Sequence, residues 1–164
     1  MGRGAGRGEQ QGLRLLAIGK SAGKAPEMEL FARYAKRIRP TLTLVEFADS
    51  QGSPAEIKRR EGEAILAALK PDELLIALDL GGATPDSPGL ASLLAGWLER
   101  SRKLAFVIGG AEGLDAPVIA RAGAKLSLGS LTWPHMLVRP MLAEQIYRAQ
   151  AILAGHPYHR AGRP

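Results

Sequence analysis

LAFVIGGAEGLD, residues 104–115, runs from five apolar residues into a loop with glycine at 109, 110 and 113, and on to an aspartate. A continuous apolar run this short, closed by glycine, reads as a strand covered on both faces rather than a half-exposed one that alternates. A short helix over Asp115–Ala122 follows it. The same grammar extends in both directions. Leu13–Ile18, Leu42–Ala48, Leu74–Leu78 and Ala124–Leu128 read as strands. Between them lie helical stretches over Pro26–Arg39, from Pro54 to about Leu69, and from about Pro88 to Arg100, with a last helix over about Met136–Ala154. Ser53-Pro54-Ala55-Glu56 is a helix-start signal, with a cap, a proline where no N–H is needed, and a glutamate three residues on. Strands alternating with helices predict an α/β fold, a mostly parallel sheet with helices on both faces.

The 164 residues suit one domain, expected over 13–164. Residues 1–12 hold five glycines and no apolar period, so burial cannot offset their ordering entropy; they read as a disordered basic extension. No apolar h-region follows the early arginines, so no secretory signal is expected. No run of about 18 apolar residues occurs, so no membrane span is expected. Zero cysteines exclude disulfides, thiolate metal sites and cysteine nucleophiles, and fit a cytoplasmic protein. A net charge of +6 favours an anionic partner, nucleic acid before membrane, although many proteins are basic for no specific reason.

Several familiar chemistries fail on spacing. Gly19-Lys20-Ser21 follows a strand, but a phosphate loop needs glycine where Arg14 stands. Gly109–Gly113 is G-G-x-x-G, not the dinucleotide G-x-G-x-x-G, and taken alone is as consistent with a plain turn. His135, His156 and His159 form no helical pair with acidic help, so no metal site is expected. No Gly-x-Ser-x-Gly elbow marks a hydrolase serine. What remains is a pocket at the carboxyl ends of the later strands, where ligands bind in such sheets.

Three segments at those strand ends resemble one family. Val107–Leu114 is similar to its IGGxxGL loop, and Leu126–His135 with Leu137-Val138-Arg139 to its LSLSxLTxPHxLxR segment. Leu142–Ala149 with His156–Arg160 is similar to its AEQxYRA…HPYHR tail. The resemblance is to the small SPOUT-class methyltransferases that modify N3 of a pseudouridine in large-subunit (23S) ribosomal RNA, and it covers about Leu13 to Arg160. It implies a trefoil knot over the C-terminal half, a homodimer, the 70S ribosome as substrate and S-adenosyl-L-methionine (SAM) as cofactor. Carried over by position, the cofactor site is Leu78, Gly109 and Leu128, Gly129, Ser130, Leu131, Thr132 and Trp133. Singly, each leucine reads as ordinary core; their placement on glycine-bearing loops points to an adenine slot.

Methyl transfer to nitrogen is an in-line displacement that gains from alignment and from support of the developing anion. Arg139 is the candidate for that electrostatic role, and Tyr158 and His159 for holding the base or taking its proton, in a site formed across two protomers. RNA contacts are expected from Arg139, Arg148, His156, His159 and Arg160. Lys58, Arg59 and Arg60 read more simply as a solvated helix face. Pro140 departs from the family pattern and loses little only if the last helix begins near Met136 or Leu137. Two other readings stay open: a nucleotide-dependent α/β enzyme, disfavoured by its incomplete phosphate loop, and a non-catalytic ribosome- or RNA-binding protein of the same fold.

Overall fold

The computed structural model describes residues 11–161. The extension expected over 1–12 lies mostly outside them, and its last residue, Gly12, already belongs to the sheet: its N–H donates to Arg102 O. The elements in chain order are β1 (Gly12–Ile18), α1 (Pro26–Ala35), β2 (Leu42–Phe47), α2 (Pro54–Ala68), β3 (Leu74–Ala83), α3 (Ser87–Arg100), β4 (Lys103–Ile108), α4 (Ala116–Arg121), β5 (Ala124–Leu126) and α5 (His135–Leu153). All five strands pair in parallel, in the order β2-β1-β4-β3-β5. Among the described residues no helix is long and apolar enough to cross a membrane.

Alternation inside the apolar runs sorts the core into two layers. Leu13, Leu15 and Ala17 share a face with Leu104, Phe106 and Ile108, and α1, α3 and α5 cover it. Leu16 and Ile18 share the other with Ala105 and Val107, under α2 and α4. Both faces of the sheet are buried, which is why the strands read as unbroken apolar runs.

Some boundaries differ from the sequence reading, each for a local reason. The first helix stops at Ala35, where the bonds tighten to Arg37 N–H on Tyr34 O and Ile38 N–H on Ala35 O and the chain turns to bury Ile38 completely. Residues after Leu78 do not simply leave the sheet: Leu126 sits opposite both Leu78 and Ala83, so residues 79–82 bulge out while the strand resumes. The fifth strand ends at Leu126, since Ser127 Oγ holds Gly129 N at 3.2 Å and turns the chain away. The last helix starts at His135, which makes Pro140 its sixth residue, beyond the first turn, and deprives the Met136 carbonyl of its helical partner.

At the amino ends of the strands, Arg14 on β1 grips the buried Glu73 through Nε (2.7 Å) and Nη2, and also reaches Ala68 O at 2.9 Å. Burial pushes the Glu73 carboxyl up, but Arg14 and the Lys70 N–H outweigh it and hold it below the usual carboxylate range. A depressed folded pKa stabilises fully above the unfolded value, and that stabilisation is lost as pH falls through the folded one. Arg14→Met is therefore expected to cost about 3 kcal/mol at pH 7 by leaving Glu73 buried and unpaired. The difference from wild type should shrink in acid; urea denaturation at both pH values checks it.

Candidate functional site

The carboxyl ends of β3, β4 and β5 converge on one cleft of about 280 Å³. Leu78, Gly109, Leu128, Gly129, Leu131, Thr132 and Trp133, expected there from the sequence, all line it; Ser130 does not. Gly110 and Gly113 of the glycine loop join them, as do Leu114, His135 and Val138, which were not singled out for it beforehand. Gly129 has φ +107° with open space around it, so glycine is needed there for backbone conformation. The cleft is mainly apolar, yet the backbone N–H groups of Leu128, Ser130, Leu131, Thr132 and Trp133 donate to no other described residue. Leu131, 67% exposed, and Trp133 are apolar side chains held out on this loop. Apolar walls with free backbone donors suit a flat purine that needs both stacking surface and hydrogen bonds.

Arg139 is one turn into α5 and has no exposed surface. Its guanidinium pairs with Glu46, which β2 supplies, and donates to Gly19 O at 2.7 Å and Ile18 O at 3.3 Å, where β1 ends. Burial raises the Glu46 carboxyl, but Arg139 and the Ser21 N–H outweigh it and leave the acid below its ordinary value. In this arrangement Arg139 offers no atom to a phosphate, which departs from the RNA contact expected of it. It is an anchor that fixes α5 against the sheet.

The other expected residues gather at the far end of α5. Glu144 Oε1 accepts from Arg148 Nε (3.1 Å) and from the Tyr158 hydroxyl (3.0 Å), and Arg148 Nη1 lies 3.1 Å from His159 Nδ1. Arginine cannot accept, so His159 Nδ1 must, and its ring proton sits on Nε2. Burial, with the Glu144 hydrogen bond adding to it, pushes the Tyr158 phenol well above its usual pKa. Tyr158 thus meets a ligand as an acceptor through its lone pairs, and His159 as a donor through Nε2–H. Neither is arranged as a strong base. Arg148, Tyr158, His159 and Arg160 line a polar cleft separate from the apolar one, while His156 lies on another side beside Arg37 and Arg39. Within one protomer, then, the expected catalytic residues and the cofactor loops are not brought together. Among the described residues no group of three or more His, Asp or Glu is placed to hold a metal.

Known proteins resemble this chain over nearly its whole length. Residues 12–159 match the family described as predicted SPOUT methyltransferase. Ribosomal RNA large subunit methyltransferase H of Acidiphilium cryptum is 62% identical over 152 residues, covering 93% of this chain and 96% of the relative. The protein of that name from Gluconacetobacter diazotrophicus is 57% identical, covering 93% and 99%. The one from Rhodospirillum centenum is 50% identical, covering 91% and 99%. A crystal structure of the SpoU methyltransferase AviRb from Streptomyces viridochromogenes in complex with AdoMet overlays with a TM-score of 0.46 at 15% identity, covering 86% of this chain and 58% of that one.

Sequence reasoning also missed Glu61, because a glutamate in mid-helix reads as solvent-facing. It is 4% exposed, its Oε2 is buried without a partner, and it packs beneath the glycine loop, 3.0 Å from where a Gly110 Cβ would stand. Burial, only partly offset by the Ser50 N–H, raises its pKa, and Asp49 and Glu112 add to the rise. A raised folded pKa contributes stability below the unfolded value, and that contribution is lost as pH rises through the folded one. Glu61→Gln should therefore melt about 2–4 °C above wild type at pH 8, a change of about 1 kcal/mol for this size, and level with it in acid. For Arg139→Ala we expect a loss of about 3–5 kcal/mol in urea denaturation, since Glu46 and two carbonyls lose their shared partner.

Proposed function

The chain belongs to the SPOUT methyltransferase family, and from that premise we propose that it methylates N3 of a pseudouridine in 23S ribosomal RNA, on the assembled 70S ribosome in the cytoplasm. The observation that carries the cofactor half is the apolar cleft with unengaged backbone donors at Leu128 and from Ser130 to Trp133. Those residues fit SAM: Leu128, Leu131 and Trp133 offer adenine its faces, and the loop N–H groups its edge. When bound, SAM supplies an electrophilic methyl group. The trefoil knot belongs to this reading, supported by three successive carboxyl-end loops packed around one cleft.

The protein's own part is binding and alignment. His159 Nε2–H is suited to hold a carbonyl oxygen of the base, and the Tyr158 oxygen to accept from its ring N–H, both kept in place by the Glu144–Arg148 pair. Arg139 acts from behind the site, as a positioning residue at the root of the helix that bounds the cleft. Because the tail and the cofactor cleft are apart in one protomer, we assign the complete site to a homodimer in which one protomer's tail faces its partner's cleft. A broad groove of about 700 Å³ between α1, α5 and the start of α3, with Leu30, Leu137 and Met141 on its walls and Leu128 and Gly129 of the cofactor loop at its end, supports a second copy whose tail reaches that loop.

The alternative of a silent ribosome-binding protein predicts RNA retention without cofactor binding. Calorimetry is expected to show SAM binding accompanied by a change in tryptophan fluorescence that Trp133→Phe removes. Ribosomal RNA from cells lacking the protein should be short of one methyl group on a pseudouridine, and an unaltered methylation map would overturn the assignment. Leu128→Glu and His159→Ala should each be inactive alone, but mixed they should recover about a quarter of wild-type activity, since half the dimers would hold one intact site.

A further inference from the structure

Basic side chains are abundant in this chain, and the structure divides them by whether an acid already neutralises them. On α2, Arg59 pairs with Glu63 at 2.9 Å and Arg60 approaches Glu56 at 3.9 Å, so that helix face largely cancels its own charge. At the end of α1, Lys36, Arg37 and Arg39 are exposed, and none has an acidic partner among the described residues. The Arg39 guanidinium is held only by Lys36 O, at 2.8 Å. Arg37 and Arg39, with Lys36 beside them in the chain, rim a cleft of about 500 Å³ whose floor is apolar, with Leu94, Leu98 and Leu153, and whose far wall is His156. His156 Nδ1 accepts the Tyr158 N–H at 3.2 Å, which leaves its Nε2–H as an outward donor.

This rim is also joined to the C-terminal tail. Arg37 lies over the Tyr147 ring at 5.8 Å, Tyr147 meets Tyr158 edge to face at 4.7 Å, and Arg148 lies over Tyr158 at 5.0 Å. The result is a track of two stacked aromatics with a cation at each end, from the turn after α1 to the residues expected to hold the target base. Unneutralised cations fix a phosphate backbone and, beside an apolar floor, leave room for an unstacked base.

We infer that Lys36, Arg37, Arg39 and His156 form a phosphate-binding surface that leads the RNA strand to the C-terminal tail. The inference rests on RNA being the substrate. Its test compares the triple variant K36Q/R37Q/R39Q with K58Q/R59Q/R60Q, which removes equal charge from α2, by titrating wild-type and variant protein with 70S ribosomes over a range of KCl concentrations. The first variant is expected to lower the slope of log affinity against log salt by about 2, and affinity at 0.1 M salt about tenfold or more. The second should change neither. R37K/R39K, which keeps the charge, should behave as wild type, and unchanged SAM affinity in all variants shows that the fold is intact. Equal slopes for wild type and K36Q/R37Q/R39Q, or an equal fall for the α2 variant, would overturn the surface while leaving the methyltransferase reading standing. A wild type whose RNA binding ignores salt, or is absent, would overturn both.

Discussion

A fully buried guanidinium where β1 runs out holds the working end of this protein together. Arg139 ties three elements with one group: the carbonyls ending β1, the Glu46 carboxylate of β2, and α5, which carries it. Desolvating such a group costs several kcal/mol, and its contacts must return that cost. They do so only if α5 lies at one height and one rotation against the sheet. That placement sets His135 and Val138 on the wall of the apolar cleft, and it projects Glu144 and Arg148 toward the tail about one and a half and two and a half turns later.

The sheet has opposite characters at its two ends. At the amino ends, Arg14 and Glu73 form a closed pair whose bonds are matched, and nothing there is left over. At the carboxyl ends two buried polar atoms are left unmatched among the described residues, the Arg139 Nε and the Glu61 Oε2, close to an exposed loop whose N–H groups are not taken up by the protein. Unmatched buried polar atoms destabilise, so their concentration on one edge marks where stability has been traded for a binding surface. Glu61 is the clearest case, a carboxyl pressed under the glycine loop that would be more comfortable as an amide.

The tail shows how one carboxylate can settle the roles of its neighbours. Glu144 accepts the Tyr158 hydroxyl hydrogen bond and fixes Arg148, and Arg148 in turn decides which nitrogen of His159 carries hydrogen. The functional groups left facing outward are a donor and an acceptor, suited to orienting a base rather than deprotonating it. Orientation is the larger need in an in-line methyl transfer.

The amino-acid sequence by itself determined the layers and most of the cleft. Apolar runs such as Leu104–Ile108 read as strands buried on both faces and the glycine-bearing segments that end them as turns, which placed a pocket at the strand ends; the individual cleft residues from Leu78 to Trp133, Ser130 excepted, were legible only through the family resemblance. Boundaries were less so: the bulge at residues 79–82 and the early end of α1 depend on what lies opposite Leu126 and on where Ile38 can be buried. Only the tertiary structure decided the fate of charged residues. Arg139 and Arg148 stand on the same helix and look alike in a string of letters, yet one is sealed inside and the other lines an open cleft. Arg37 and Arg60 likewise differ only in whether an acid stands beside them. Period and propensity report which face an apolar residue takes; whether a charge is paired, buried or free is set by side chains distant in sequence, and that is a property of the assembled fold.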